Sequence, residues 1–184
     1  GGEILLNGRD IVGMAERELN TVRRKIGLVF QGGALFDSMS VGENVGFALA
    51  EHTRMRPDEL EKVTKEKLGL VGLSGTEDLM PAELSGGMKT RVAMARAIAF
   101  DPELILYDEP TTGLDPVTAD SINRLMAKMQ KALGVTSVIV THDLKCAYEV
   151  GDRVAMLEAG VIKYCDRTEH APHSQDTEMR RFFD

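Results

Sequence analysis

Two adjacent carboxylates, those of Asp108 and Glu109, directly follow the apolar run Leu104–Tyr107. Such a run indicates a buried strand, and α/β folds bind ligands at the carboxyl ends of their strands. At that place Asp108 is expected to hold Mg²⁺, directly or through a water molecule, and Glu109 to orient or deprotonate an attacking water. A pair of solvated acids before the turn at Pro110 explains the same residues equally well.

A serine and two glycines, Ser85-Gly86-Gly87, lead into a helix that the pattern predicts from near Met88 to Phe100. Glycines leave the backbone N–H groups at a helix start unobstructed, and the helix dipole adds positive potential there. This combination favours the binding of an anion such as phosphate. An ordinary serine-capped helix has the same sequence, and for this segment taken alone it is the better explanation.

The segment Gly87–Thr90 superficially matches the end of a phosphate-binding loop, G-x-x-x-x-G-K-S/T. The two glycine positions of that motif fall on Met88 and Glu83, so the match fails at both. No other segment of the 184 residues fits the motif. These 184 residues therefore contain no P-loop.

Three further polar side chains stand next to predicted strands. His142 follows the run Val135–Thr141, where an imidazole can donate a hydrogen bond to a phosphate oxygen, although a single histidine at a strand end more commonly has a structural role. Gln31 ends the strand predicted around Ile26–Phe30 and can reach a metal ion or a water molecule. Asp115 lies in the loop after the carboxylate pair, and it suits the N-cap of the next helix equally well. The other histidines have no convincing metal-ligand spacing and are interpreted as surface residues: His52, His170 and His173.

The overall composition is that of one folded, acidic domain. Hydrophobic residues make up 43% of the 184 residues, and 29 Asp and Glu outnumber 22 Lys and Arg. The negative balance argues against a general nucleic-acid binder. No apolar run approaches the roughly 18–20 residues that cross a bilayer. Two cysteines are too few for a disulfide framework, so a reducing compartment is expected.

The alternation of strand and helix patterns predicts an α/β fold with a helical insertion. The Asn7-Gly8 turn joins two short strands, and the stretch over residues 41–100 is mostly helical in pattern. Two apolar or β-branched runs flank a helical pattern over residues 116–133, which predicts parallel strands buried on both faces. A closing hairpin is predicted over residues 153–165.

The order of the chemical motifs along the chain resembles that of the nucleotide-binding subunit of an ABC transporter. The corresponding motifs of that family are the Q-loop, the LSGG signature, the Walker B strand with its catalytic glutamate, the D-loop and the H-loop. They match, in this order, Gln31, Leu84–Gly87, Leu104–Pro110, Gly113–Asp115 and Thr141–Asp143. Finer features resemble the Mla type with its Mce-associated relatives: Phe30–Ser38, Val41–Val45 and Ser85–Met88.

The resemblance implies one ABC ATPase domain over residues 1–184, with a P-loop NTPase-like (RecA-like) α/β fold. Its parts are a parallel sheet core, an ABC helical subdomain at about residues 41–100 and a C-terminal tail at about residues 166–184. The resemblance also implies an ATPase that uses ATP and Mg²⁺ to drive phospholipid movement between the inner and outer bacterial membranes. The implied location is the cytoplasmic face of the inner membrane, as a peripheral protein.

The same resemblance implies the partners of the subunit. They are a second copy of the subunit, membrane permease subunits and an Mce-domain lipid-binding protein, without nucleic acid. Leu35, Phe36 and Met39 are predicted to dock the permease, although a core position suits Leu35 and Phe36 equally well.

Roles for single residues also follow from the resemblance. Asp108 and Gln31 would hold Mg²⁺, Glu109 would align the attacking water, and His142 would contact the γ-phosphate. A further group would close over ATP bound to the opposite subunit: Ser85, Gly86, Gly87 and Asp115.

One departure from the family concerns its Walker A loop and the aromatic residue that stacks on adenine. Both precede the segment that Gly2–Ile11 matches. Because the chain begins at Gly1 and has no such loop, it is expected to be N-terminally truncated and inactive alone. Two rival interpretations are an inactive binding module and a non-transport ABC ATPase of DNA repair or translation. The second rival is disfavoured because no sustained heptads lie between Gln31 and Ser85.

Overall fold

The structure, a computed structural model, describes residues 2–173. The strands are β1 (Leu5–Leu6), β2 (Arg9–Asp10), β3 (Ile26–Val29), β4 (Leu104–Asp108), β5 (Thr136–Val140), β6 (Arg153–Glu158) and β7 (Val161–Arg167). The α-helices are α1 (Glu16–Arg23), α2 (Val41–His52), α3 (Pro57–Leu70), α4 (Gly86–Ala97), α5 (Pro116–Leu133) and α6 (Leu144–Val150). Short 3₁₀ helices lie at Pro81–Glu83 and Thr168–His173. Residues 174–184 of the predicted tail lie outside the described part of the chain.

The central sheet is parallel, with strand order β3-β4-β5. The α5 helix connects β4 to β5, as the strand-helix-strand pattern predicts. Asp115 caps the start of α5, and Gly134 ends it with a φ of 65°, a left-handed conformation that glycine adopts without steric cost. This unit aligns the carboxyl ends of all three strands at one edge of the sheet.

One face of this sheet is buried and the other is largely exposed. Ile105 and Tyr107 are buried on the first face, where α4 comes so close that a Cβ on Gly27 would lie 2.4 Å from the Ala97 carbonyl oxygen. On the second face Val138 and Val140 are 49% and 60% exposed. The prediction that the parallel strands are buried on both faces is therefore wrong within the described residues. The helices of residues 2–173 cover one side of these apolar runs, and an apolar run by itself does not specify how many sides are covered.

The predicted helical stretch consists of α2, α3 and α4, with a loop and one short 3₁₀ helix between α3 and α4. Ser40 and Glu43 form a reciprocal capping box at the start of α2, and Pro57 occupies the first turn of α3 as its fixed φ favours. Lys67 is buried on the apolar side of α3, where its Nζ lies 2.5 Å from Asp101 Oδ1. The subdomain bounds at about residues 41 and 100 stay a prediction.

Two antiparallel hairpins flank the central sheet in sequence, as predicted. In the β1–β2 hairpin Asn7 and Gly8 have φ values of 51° and 77°, which a tight hairpin turn requires. The second hairpin pairs β6 with β7 around Ala159 and Gly160. The α1 and α6 helices are not predicted by the sequence pattern.

Candidate active site

The carboxyl-end edge of the central sheet holds the predicted catalytic side chains. Asp108 is the last residue of β4, and the Glu109 N–H donates to the carbonyl oxygen of Val140 at the end of β5, at 2.9 Å. Glu109 has a φ of 48°, which turns the chain sharply away from the strand direction. Gln31 follows β3 at the same edge, because Val29 of β3 lies opposite Tyr107 of β4 in parallel register.

The Glu109 carboxylate accepts two side-chain hydrogen bonds. His142 Nδ1 lies 2.9 Å from both carboxylate oxygens, and the Thr112 hydroxyl donates to Oε2 at 2.8 Å. The Glu109 side chain is 22% exposed, whereas that of His142 is 72% exposed. Burial pushes the pKa of Glu109 up, but the hydrogen bonds from His142 and Thr112 outweigh it, so the pKa lies below its usual value. Glu109 is thus an oriented, ionised carboxylate rather than a freely solvated acid.

The same contact raises the pKa of His142. The hydrogen bond to Glu109 and then its negative charge raise the pKa of the imidazole above the usual value. Because Nδ1 faces Glu109, Nε2 is the ring nitrogen left to meet a ligand.

The residues predicted to hold Mg²⁺, Asp108 and Gln31, are both exposed at the sheet edge. Among residues 2–173, no three or more His, Cys, Asp or Glu side chains are grouped so that they could hold a metal ion. Mg²⁺ is commonly bound by one or two carboxylates together with phosphate oxygens and waters. One exposed carboxylate and one amide oxygen fit such a shared site, and the assignment to Mg²⁺ stays a prediction.

Ser85 is the N-cap of α4, and its Oγ accepts a hydrogen bond from the Met88 N–H at 3.3 Å. The helix begins at Gly86 rather than near Met88, because the two glycines form part of its first turn. No acidic residue lies in that turn, so α4 itself supplies no negative charge against the positive end of its dipole. The structure thus contains the predicted serine cap, and the same turn exposes positive potential.

The serine-glycine turn contacts the start of α5, a relationship that the sequence pattern does not predict. A Cβ on Gly87 would lie 2.4 Å from Thr118 Cγ2, so any larger residue there would force Thr118 or the helix to shift. Asp115 caps α5 by accepting from the N–H groups of Val117 and Thr118 at 3.1 and 3.0 Å. Of the two alternatives for Asp115, the helix cap is realised, and it lies beside the Ser85 turn through Thr118.

A groove of about 840 Å³ opens beside β3 and is lined by residues of α1, α2 and α4. Phe36 is exposed in this groove, and its ring centre lies 5.0 Å from that of Phe47. Leu35 instead packs against the core, and Met39 lines a separate cavity between α2 and α3. Of the three predicted docking residues, Phe36 therefore has the accessible side chain in this groove.

The remaining predicted surface histidines are placed as follows. His52 is exposed, and His170 is exposed with Nδ1 at 3.3 Å from Asp166. The side chain of His173 lies outside the described part of the structure. Among residues 2–173, none of the helices has the length and apolar character needed to span a bilayer.

Sequence comparison identifies relatives over nearly the whole chain. The family described as ABC transporter matches residues 1–112. The intermembrane phospholipid transport system ATP-binding protein MlaF of Haemophilus influenzae is 41% identical over 181 residues, which are 98% of this chain and 69% of that protein. The probable ribonucleotide transport ATP-binding protein mkl of Mycobacterium tuberculosis is 42% identical over 85% of this chain and 44% of its own length.

Solved structures show the same fold. CbiO1 from Clostridium perfringens, part of the ABC transporter complex cbiONQ, has a TM-score of 0.86 and 31% identity over 95% of this chain and 69% of its own. The dimeric ATP-binding cassette MJ0796, in a post-hydrolysis state bound to ADP and Pi, has a TM-score of 0.80 and 35% identity over 91% of this chain and 74% of its own. These neighbours confirm the predicted fold class. By sequence and by fold, the chain belongs to the ABC transporter family.

Proposed function

We propose that this ABC-family ATPase drives phospholipid movement between the inner and outer membranes of a bacterium, through a site shared by two copies. The observation that carries ATP hydrolysis is the Glu109 carboxylate held between His142 and Thr112 at the sheet edge. The choice of phospholipid is supported by the 41% identity to MlaF over nearly the full chain.

In this proposal each side chain at the sheet edge has one task. Glu109 orients the attacking water and accepts its proton, for which an ionised carboxylate is required. His142 presents Nε2 to the γ-phosphate while Nδ1 stays on Glu109. Asp108 and Gln31 hold Mg²⁺, which when bound supplies positive charge against the phosphate oxygens.

The Ser85 turn and Asp115 act on nucleotide bound to the opposite copy. Ser85 and Gly86 are exposed at this turn, and the first turn of α4 has no acidic residue of its own, so the helix start offers an anion site. The contact of Gly87 with Thr118 makes the turn and the capped start of α5 one continuous surface. Ser85, Gly86, Gly87 and Asp115 would then meet the phosphates of the second copy in a two-fold dimer.

The membrane permease would dock in the groove beside β3. Phe36 and Phe47 give this groove exposed aromatic surface, which is common at the centre of protein interfaces. The groove adjoins the predicted helical subdomain at about residues 41–100, so docking there can act on α2 and α4. The proposed complex also contains an Mce-domain lipid-binding protein, and this ATPase subunit lies on the cytoplasmic face of the inner membrane as a peripheral protein.

The test is reconstitution. A Walker A-bearing N-terminal segment of an ABC ATPase is joined ahead of Gly1 to give a protein termed the Walker A fusion. The fusion replaces MlaF in the Escherichia coli transport system within vesicles. ATP-dependent transfer of a fluorescent phospholipid is expected, and Glu109→Gln in the fusion should abolish it. ATP hydrolysis without lipid transfer, or transfer of ribonucleotides instead, would overturn the phospholipid assignment.

A further inference from the structure

Arg96, in the last turn of α4, holds the chain segment that follows Gln31. Its Nη2 donates to the carbonyl oxygen of Gly33 at 2.8 Å, and its Nη1 donates to that of Ala34 at 2.9 Å. The guanidinium carbon also lies 5.8 Å from the centre of the Phe36 ring. Two hydrogen bonds and one cation–π contact thus join a single side chain to three residues of this segment.

The segment lies so close to α4 that its conformation depends on the helix. A Cβ on Gly33 would lie 2.9 Å from the Lys89 carbonyl oxygen, so the backbone touches the helix directly. Ala34 has a φ of 42°, a left-handed conformation that residues other than glycine rarely adopt without support. Arg96 supplies that support, since it donates to the carbonyl groups of both Gly33 and Ala34.

The helix that carries Arg96 begins directly after the Ser85 cap and runs for twelve residues of continuous α-helix. Continuous i→i−4 backbone hydrogen bonds therefore connect the turn that carries Arg96 to the turn that follows Ser85. The contacts thus form a continuous path from the segment after Gln31 through Arg96 and α4 to the Ser85 turn.

We propose that Arg96 is a positioning residue that couples the Gln31–Phe36 segment to the Ser85 turn. The physical link rests on the contacts above, and its role in catalysis rests on the function proposed for Gln31 and Ser85. Partner docking at Phe36 would then reach the serine-glycine turn through one guanidinium group.

Arginine is required for this link by its geometry. A guanidinium presents two parallel N–H donors to the two carbonyl groups and a flat surface to the Phe36 ring. A lysine at position 96 keeps the positive charge but loses the fork and the planar contact. Arg96→Lys should therefore weaken the link almost as much as Arg96→Met does. Comparing the two variants separates the effect of guanidinium geometry from that of positive charge.

A matched control lies earlier in the same helix. Arg91 also donates twice, to the Val71 carbonyl oxygen at 2.6 Å and to Ser121 Oγ at 2.7 Å. Neither partner belongs to the Gln31–Phe36 segment. Arg91→Met thus removes a comparable set of hydrogen bonds without touching the proposed link.

The first experiment is hydrogen–deuterium exchange on the 184-residue chain. Arg96→Met and Arg96→Lys should speed exchange of the amides of residues 32–36 by about tenfold, and Arg91→Met should leave that segment unchanged. Equal exchange in the wild type and both Arg96 variants would overturn the link. The link would also be overturned if Arg91→Met sped amide exchange in residues 32–36 as strongly as the Arg96 variants do.

The second experiment measures ATP hydrolysis by the Walker A fusion. Arg96→Met and Arg96→Lys should each lower kcat by about tenfold or more with KM for ATP nearly unchanged, because a mispositioned turn affects chemistry more than binding. A wild-type kcat in both variants would overturn the catalytic role of the link. An inactive wild-type fusion would instead count against the proposed function, while the exchange result would still decide the physical link.

Discussion

His142 Nδ1 lies 2.9 Å from a carboxylate oxygen of Glu109, so the ends of β5 and β4 are joined through these two side chains. The contact fixes which imidazole nitrogen remains for a phosphate, and it holds Glu109 in one orientation. Each partner favours the charged form of the other, so protonation of one affects the pKa of the other.

The first prediction concerns the titration of His142. Its pKa should lie above the ordinary value of about 6.5, because the hydrogen bond and the charge of Glu109 favour the imidazolium. Glu109→Gln removes the charge, so the pKa of His142 should fall toward the ordinary value. An NMR titration of the histidine ring protons measures both, with His142→Asn identifying the resonance among the four histidines.

The raised pKa of His142 and the lowered pKa of Glu109 together set how the stability of the folded chain changes with pH. A raised His142 pKa gives stabilisation that is complete below about pH 6.5 and is lost as the pH rises through the raised value. A lowered Glu109 pKa gives stabilisation that is present above its ordinary value and is lost as the pH falls through the lowered one. Unfolding curves should thus separate wild type from Glu109→Gln most clearly between those two ranges. An equal separation at alkaline pH would contradict the ionic account.

The second prediction is that Glu109→Gln abolishes turnover by the Walker A fusion but permits ATP-dependent dimerisation. The amide keeps the shape of the side chain but does not accept a proton, and loss of a general base commonly costs about 100- to 10,000-fold. Size-exclusion chromatography with ATP and a phosphate-release assay give the two readouts. Glu158→Gln, at an exposed position on β6, is the matched control. Near-wild-type hydrolysis by Glu109→Gln would remove Glu109 from the catalytic role.

The third prediction is that Ser85 acts on ATP bound to the opposite copy. In the Walker A fusion, Ser85→Glu places a negative charge where the phosphates should lie, so hydrolysis should fall by about 100-fold or more while ATP binding to the monomer persists. Ser74→Glu, in an exposed loop, is the control for an added charge.

Complementation decides whether Ser85 acts in trans. When the Ser85→Glu fusion is mixed with a fusion mutated at its Walker A lysine, each heterodimer should regain one competent site. That site pairs the intact phosphate loop of the first chain with the intact Ser85 of the second. An inactive mixture of folded, associated chains would show that Ser85 acts within its own copy.

The fourth prediction concerns the contact between Gly87 and Thr118. Gly87→Ala should destabilise the chain by about 1–3 kcal/mol in urea unfolding, because the new methyl group overlaps Thr118 Cγ2. Adding Thr118→Ser removes that methyl group but keeps the hydroxyl that bonds Asp115, so it should restore most of the loss. Gly69→Ala is the control, since its Cβ meets only an ordinary contact at 3.5 Å. If Thr118→Ser did not restore the stability lost in Gly87→Ala, the overlap with the Thr118 methyl group would not be the cause of that loss.

The fifth prediction is that the 184-residue chain by itself binds Mg·ATP with a Kd no tighter than about 1 mM and does not hydrolyse it. The reason is that these residues contain no G-K-S/T loop to surround the β- and γ-phosphates. Isothermal titration calorimetry measures the affinity, with the Walker A fusion as the positive control. Micromolar binding with turnover by the chain alone would refute the prediction.

The elements that can be predicted well from sequence are those with a strong periodic pattern. The β4 and β5 strands are apolar runs, and α5 carries an apolar stripe that includes Ile122, Met126 and Met129. The α1 helix could not be predicted because it buries no residue and so has no apolar stripe facing a core. The α6 helix has only seven residues, too few to show a clear helical periodicity. The exposed face of the central sheet also escapes prediction, since the composition of a strand does not reveal which neighbouring layers are present.

The candidate site also has features that could be predicted from sequence and features that could not. Glu109 and His142 could be predicted from the order of motifs along the chain, which places them at neighbouring strand ends. The contact of Gly87 with Thr118 and the hold of Arg96 on Gly33 could not be predicted, because each joins distant positions and depends on tertiary packing. For Asp115, sequence left two alternatives open, and the backbone geometry around α5 shows that it caps the helix.

The ion pair between Lys67 and Asp101 has a mechanical consequence. Lys67 lies on α3 and is buried, while Asp101 lies in the turn that enters β4. Breaking the pair would leave the Lys67 ammonium group, on a side chain only 5% exposed, without the carboxylate of Asp101, which is itself 79% exposed. If this contact is kept while the α2–α3 layer tilts against the sheet, the displacement is smallest near Asp101 and grows with distance from that residue. Within α3, the largest displacement would then be at Pro57, the end of the helix farthest from Lys67.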